Sequence, residues 1–433
     1  MKKLIAILLA VVLCLALVAC GSSANEPANN TNGNQTNEAN TGNEANEANE
    51  PAGESVAATD LKVGFIFLHD ENSTYDLNFM KAAREVCEEL GLVEGETFLF
   101  KVPVPEGQEC YEAAAELADA GCNVIFADSF GHEDYMIQAA MEFPEVQFCH
   151  ATGTKAHTQG LSNYHNAFAS IYEGRYLAGV AAGLKLNEMI ENGEFTAEEA
   201  KIGYVGAFTY AEVMSGYTSF FLGARSVCPT ATMDVTFTGS WYDQSAEQEA
   251  ANNLINNGCK LISQHADSLG APSACDSAGV PNVSYNGSTI DAGPDTYIVA
   301  SRINWAPYYR FVLNAVMNGE SFGPDWTGTI ATGSVELFEV NEAVAAAGTT
   351  EKLAEVKAAL EAGTLHVFDT ATFTVGGETM TTYLADVDDM GDYVGETEVI
   401  FDGYFHESAD GFRSAPYFDL EIDGITLLDR NYG

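Results

Sequence analysis

Six aromatic residues and three acids stand just past stretches that read as β-strands. They are Tyr75, Phe130, Phe208, Tyr210, Trp241 and Trp305, with Glu212, Asp243 and Asp267. Rings in such loops offer flat faces to a planar ligand, and a base–aromatic stack is worth about 1–3 kcal/mol in nucleic-acid complexes. Carboxylates beside them accept hydrogen bonds from ring N–H and amino groups, and equally from sugar hydroxyls. Residue chemistry alone therefore leaves base and sugar both open. Any one of these rings could equally be lobe core. Catalytic patterns are missing from the sequence. It holds no Gly-rich phosphate loop, no Gly-x-Gly-x-x-Gly after a strand and no Gly-x-Ser-x-Gly elbow. His132-Glu133 lacks a second His at Met136, and the eight His are scattered without ligand spacing. The acid run 386–391 falls short of a calcium loop, because Met390 stands where an oxygen ligand belongs and Thr397 replaces the closing acid. His265 and Asp267 share a strand face without a nucleophile, which suits a hydrogen-bonded cleft histidine. The chain is expected to bind its ligand without transforming it, and to need neither metal nor cofactor.

The elements that must position these groups are written twice. Glu116–Ser129 runs through a helix end, Gly121, Cys122, an apolar strand and then Asp128-Ser129. Asn253–Ser268 repeats the plan with Gly258, Cys259, a buried strand and Asp267-Ser268. Each copy follows an apolar strand, 62–67 in the first case and 201–206 in the second. Duplication of this kind predicts two α/β halves with parallel sheets. In an open parallel sheet the ligand sits beyond the carboxyl ends of the strands, so both tips are aimed at one cleft. In the first half, Asp76 is the expected helix cap, and Phe79, Ala82, Ala83 and Val86 recur at helical spacing. Strands are predicted at 98–104, 124–127 and 146–150, and nothing there reads as a hairpin. Residues 162–166 lead into a helix in which Gly174, Ala178 and Ala182 leave one face bare for close packing. The second half alternates in the same way to a strand at 297–303. The chain then returns to the first lobe. Beyond Ser334 a charged helix gives way to β-like runs with a Gly376-Gly377 hairpin turn.

The ends and the composition bound the setting. Lys2 and Lys3 precede an apolar run from Leu4 to Ala19, a secretory signal in form and short for a membrane span. It closes on Leu17-Val18-Ala19-Cys20, which resembles the bacterial lipobox, so Cys20 is the expected lipid-attachment site. The Asn- and Glu-rich stretch 21–59 has almost nothing apolar. It reads as a disordered tether with a root-mean-square span of about 30–35 Å. The formal net charge of −45, with only 18 Lys plus Arg, argues against nucleic acid and nucleotide phosphates as partners. Nine cysteines contain no Cys-x-x-Cys pair, and Cys122 and Cys259 read as small core residues.

The segments Ile171–Gly179, Gly223–Ser226, Gln264–Asp267 and Ser301–Tyr309, in that order, resemble the basic membrane protein (BMP) family. These are substrate-binding lipoproteins of ABC importers that take purine nucleosides or nucleobases. The similarity runs from about Leu61 to Ser334. It implies a type I periplasmic-binding fold, with two doubly wound lobes joined by three hinge crossings. The expected division is 1–20 signal, 21–59 tether, 60–168 with 301–333 as lobe 1, 169–300 as lobe 2, and 334–433 completing the lobes with a β-rich extension. Carried onto this chain, the resemblance implies that Tyr75 and Phe130 sandwich the base while Glu212 and Asp267 read its N–H donors. Phe208, Trp241 and Trp305 complete the expected ligand set. The nucleoside-binding branch has Lys where this chain has Asn304 and Asp where it has Ser288, which tilts the reading towards a free base. Implied partners are the permease and ATPase subunits and, through the lipid, the outer face of the cytoplasmic membrane. A sugar or small-metabolite receptor, or a ligand sensor without a transport role, are the alternatives.

Overall fold

Residues 55–387, 394–408 and 412–430 are described by the computed structural model. Cys20, most of the tether and the greater part of the acid run 386–391 lie outside them. The first half runs β1 (Val63–Ile66), α1 (Thr74–Glu89), β2 (Phe98–Lys101), α2 (Gln108–Asp119), β3 (Val124–Ala127), α3 (Glu133–Glu142), β4 (Gln147–Ala151), α4 (Ala156–Gln159) and β5 (Tyr164–Ala169). The second half runs α5 (Ile171–Glu191), β6 (Lys201–Gly206), α6 (Ala211–Val227), β7 (Thr232–Phe237), α7 (Gln244–Asn256), β8 (Leu261–His265), α8 (Gly270–Ala278), β9 (Asn282–Tyr285) and β10 (Tyr297–Ile303). There follow α9 (Ala306–Asn318), β11 (Asp325–Gly328), β12 (Val335–Leu337) and α10 (Thr349–Glu361). The short strands β13 (Leu384–Ala385), β14 (Thr397–Glu398), β15 (Ile400–Phe401), β16 (Tyr404–Phe405) and β17 (Ile425–Leu427) complete the order.

One sheet has the order β11-β5-β4-β3-β1-β2, and the other β12-β10-β9-β8-β6-β7-β17. Within them β2-β1-β3-β4-β5 and β7-β6-β8-β9-β10 are the same parallel arrangement, so the duplicated sequence is duplicated topology. β1 is buried along its whole length, as a parallel strand covered on both faces should be. The two glycines ahead of β3 and β8 have left-handed backbones, Gly121 at φ +87° and Gly258 at φ +91°. There a side chain would be strained, so glycine ends the helix and turns the chain into the central strand.

Several elements differ from expectation for physical reasons. Ser73, not Asp76, caps α1: its hydroxyl accepts from the Asp76 N–H and donates to the Asp76 carboxylate. Strand β5 was hidden because its first half, though buried, carries the polar His165 and Asn166. His165 bonds Gly323 and Gln147 within the lobe, and Asn166 accepts from Ala156 N. The second sheet keeps the chain to Ile303, so the return to the first lobe begins at Asn304 and not at 301. The Gly174–Ala178–Ala182 face of α5 is buried as expected, a Cβ on Gly174 standing 2.8 Å from Val335, and a second tight face carries Gly179 and Gly183. A Cβ on Gly179 would stand 1.9 Å from Phe220 O, and one on Gly223 of α6 2.0 Å from Tyr176 O.

Three passages join the lobes: β5 to α5, β10 to α9, and β11 to β12. They touch one another where Ser170 N donates to Gly328 O at 2.7 Å and Asn304 N to Ser334 O at 2.8 Å. The segment after α10 is bonded to both lobes. Ser414 N and Oγ donate to Asp325 in the first lobe, Ser215 of α6 donates to Glu407, and β17 pairs with β7. Gly376 and Gly377, both at positive φ, turn a small hairpin closed by Val375 and Glu378. The seven described cysteines are buried and free, and burial pushes the Cys122 and Cys259 thiols up to about 11 and about 12.

Candidate binding cleft

A 2-1-3-4-5 sheet places its ligand where the strand order reverses, here between β1 and β3 in one lobe and β6 and β8 in the other. The two switch points face each other across a narrow cavity lined by both lobes. From the first lobe come Leu68, His69, Tyr75 and Asp76 after β1, Ser129 and Phe130 after β3, and Thr152 after β4. The second lobe supplies Glu212 after β6, Trp241 after β7, His265 and Asp267 at the end of β8, and Asn286 after β9. The lobes meet around it. Thr74 N and Oγ1 donate to Asp267 O at 3.1 and 3.2 Å, and Asn78 Nδ2 donates to Asn286 O at 2.6 Å. On another side the Phe130 ring stacks on Tyr210 of the opposite lobe, 5.0 Å between centroids.

Five of the seven side chains expected to bind ligand are thus gathered: Tyr75, Phe130, Glu212, Trp241 and Asp267. Two are not. Trp305 is 1% exposed and stacked on Phe79 at 4.3 Å, because the chain re-enters the first lobe there and needs a ring to fill the hinge. Phe208 stands behind the cavity wall, packed on Tyr210 at 5.1 Å and edge-on to Trp241 at 5.0 Å. Asp243 is also displaced, since its carboxylate caps α7 through Ser245 N and Ala246 N. Asn304 ties the hinge, donating to Gly333 O and Glu336, and Ser288 does not line the cavity. Their chemistry therefore does not separate base from nucleoside. Asp76, Thr152 and Asn286 went unread. Asp76 looked like a cap. Thr152 and Asn286 carry a conformational signal that no spacing shows: both have left-handed backbones, at φ 70° and 62°.

Among the described residues that line it none is Lys or Arg, and three are acids, Asp76, Glu212 and Asp267. Burial, then Asp76 and Glu247, raises the Asp267 carboxyl well above its usual range. His265 Nε2 lies 3.5 Å from Glu212 Oε1, and burial lowers the His265 pKa against that carboxylate's pull. Behind the wall, Leu68 N donates to Asp128, whose pKa burial and Asp76 raise well above normal. Tyr75 O–H donates to the Asp128 carbonyl at 2.7 Å. Such a site favours a flat ligand rich in N–H donors. It disfavours an anion, whose charge would be buried against carboxylates.

The buried acids also set a pH response. Burial pushes Glu173, Glu247 and Glu407 up from 4.5 to about 7. The folded chain then holds protons that the unfolded chain has released. That stabilisation is complete below about pH 4.5 and is lost as pH rises through about 7. Burial lowers His132, His150 and His165 to about 4, which works the other way only as pH falls below about 6.5. The midpoint of thermal unfolding is therefore expected to rise as pH is lowered from 8 to 6.5, with Glu407→Gln flattening the slope. A midpoint that climbed with pH over this range would contradict these proton assignments.

Two lobes of like topology, closed on a polar–aromatic cavity at their strand ends, define a ligand-binding protein of the type I periplasmic class. The sequence model of the Bmp family, described as ABC transporter substrate-binding protein PnrA-like, matches residues 66–364, and the chain belongs to that family. A purine-binding protein of Brucella abortus is 36% identical over 270 residues, 62% of this chain and 72% of that protein. A protein of Haloferax volcanii, whose name assigns it to glucose binding in an ABC transporter, is 34% identical over 224 residues, 52% of this chain and 54% of its own. Solved solute-binding proteins of ABC systems share the fold. That from Conexibacter woesei has TM-score 0.56 at 19% identity, covering 71% of this chain and 98% of its own. That from Aeropyrum pernix has TM-score 0.59 at 15%, covering 71% and 93%. Substrate-binding proteins of ABC systems work outside the cytoplasm with a permease and an ATPase. No described helix is long and apolar enough to cross a membrane.

Proposed function

We propose that the protein captures a purine nucleobase or nucleoside between its lobes and delivers it to an ABC importer, without chemical change to the ligand. The observation that carries this reading is the cavity itself, with Phe130 from one lobe, Trp241 from the other, and carboxylates but no cation in the wall. A ring seated there stacks on aromatic faces while its N–H groups donate to Glu212 and Asp267. Because both lobes contribute, the ligand stabilises the closed state more than the open one. The purine-binding relative from Brucella abortus supports the ligand class. Lipid attachment at Cys20 completes the proposal by holding the protein at the outer membrane face beside its permease. Cys20→Ala is expected to move the protein from the membrane fraction to the soluble one, and retention at the membrane would refute the anchor.

The test of the ligand class uses the position of the tryptophans. Of the three in the chain, Trp241 lines the cavity, whereas Trp305 and Trp326 do not. Adenine is expected to quench the fluorescence of the parent protein and to leave that of Trp241→Phe nearly unchanged. Glucose producing the change while no purine did would overturn the purine reading in favour of a sugar receptor.

A further inference from the structure

Three hydroxyls of the first lobe line the cavity, those of Tyr75, Ser129 and Thr152. Two are committed within the lobe: Tyr75 donates to Asp128 O, and Ser129 to Glu106. Thr152 Oγ1 is different. The residue is 3% exposed and its hydroxyl finds no hydrogen-bond partner among the described residues. A buried hydroxyl without a partner is costly and uncommon, and each such case in a native fold asks for a reason.

The backbone sharpens the point. Thr152 has φ 70°, a left-handed conformation that β-branched residues rarely adopt. The surroundings enforce it. Thr152 N is held by Ala167 O, Glu133 Oε1 accepts from Thr154 N and Lys155 N, and Asn166 Oδ1 accepts from Ala156 N. Beneath the loop, a Cβ on Gly153 would stand 1.9 Å from Asn166 Nδ2, so the loop is pressed onto this polar cluster without slack. At the matching place in the other lobe, after β9, Asn286 has the same backbone hand, but its side chain already donates to Asp267 at 3.2 Å. Strain of this kind persists only where the fold over-determines it, and it gathers at ligand clamps.

We infer that Thr152 is a specificity-determining residue of the cleft, its hydroxyl donating to a hydrogen-bond acceptor on the bound ligand. The acids opposite accept from ligand N–H groups, whereas a purine also carries ring nitrogens whose lone pairs need a donor. The nature of that acceptor rests on the purine reading; the role of the hydroxyl does not.

Calorimetric titration with adenine and with glucose, beside thermal unfolding without ligand, tests this in Thr152→Val, Thr152→Ser and Thr152→Gly. The valine keeps shape and strain and removes only the hydroxyl. Its adenine affinity is expected to fall about tenfold or more, while its unfolding midpoint holds or rises because an orphaned polar group is gone. The serine should bind within about threefold of the parent. The glycine should unfold at a higher temperature, its strain relieved, yet bind as weakly as the valine. Valine binding as tightly as the parent, or serine losing as much as valine, would overturn the inference. If the parent binds glucose and no adenine, the purine reading fails, and the same valine–parent comparison on glucose still decides Thr152.

Discussion

Asp267→Asn is expected to weaken purine binding about thirtyfold or more while raising the unfolding midpoint of the ligand-free protein at pH 8. The loss follows from replacing a carboxyl that can turn acceptor oxygens to the ligand's N–H groups with an amide whose NH2 group cannot accept. A ligand donor left buried without a partner costs about 1–3 kcal/mol, and the facing amide N–H adds to it. The gain follows from the same surroundings. Asp267 is 5% exposed and raised by burial and by the neighbouring Asp76 and Glu247, so ionising it at high pH works against the fold. Its carbonyl, which receives Thr74 from the other lobe, is untouched by the substitution. Lobe closure therefore keeps its main-chain bonds, and the effect reads on the ligand. Titration calorimetry and thermal scans of the two proteins decide it. A variant that bound like the parent would make Asp267 a bystander.

A chain ended at Gly363 is expected to lose cooperative folding altogether, although the family match stops at residue 364. The segment beyond carries Phe368, Phe405, Tyr417, Phe418 and Ile422, all buried and all in the core cluster that runs through both lobes. At about 1.5–3 kcal/mol for each such side chain, their removal rivals the about 5–15 kcal/mol by which whole domains are stable. Deleting β17 would also bare the β7 edge of the second sheet, and loss of Ser414 and Glu407 would remove bonds to Asp325 and Ser215. The C-terminal stretch thus belongs to the lobes' own core. A truncated chain that melted in one sharp transition near the parent's midpoint would show the reverse.

What could be read from the chain was whatever short-range chemistry dictates. The Gly121–Cys122 and Gly258–Cys259 repeats were legible because a left-handed glycine and an apolar strand each leave a local mark. The aromatic and acidic tips followed from strand ends, and five of them do converge. Trp305 misled because a ring after a strand is the same signal whether it faces a ligand or fills a hinge. β5 was missed because its buried polar residues find partners outside the strand, His165 as far away as Gly323 and Asn166 at Ala156 N. Asp76 passed as a cap because its inward turn depends on Ser73 and on His69 N, which is a matter of geometry. Thr152 and Asn286 could not be found at all, since their meaning lies in backbone angles and in which lobe each faces.

The claim on which the rest depends is that this acid-lined, aromatic gap between two like lobes selects a purine. Titrating the unliganded protein calorimetrically with adenine, guanine, hypoxanthine, adenosine, guanosine, ribose and glucose measures it most directly. The expected result is saturable one-to-one binding of at least one purine, with no heat from ribose or glucose. Saturable binding of a sugar with none of any purine would contradict it.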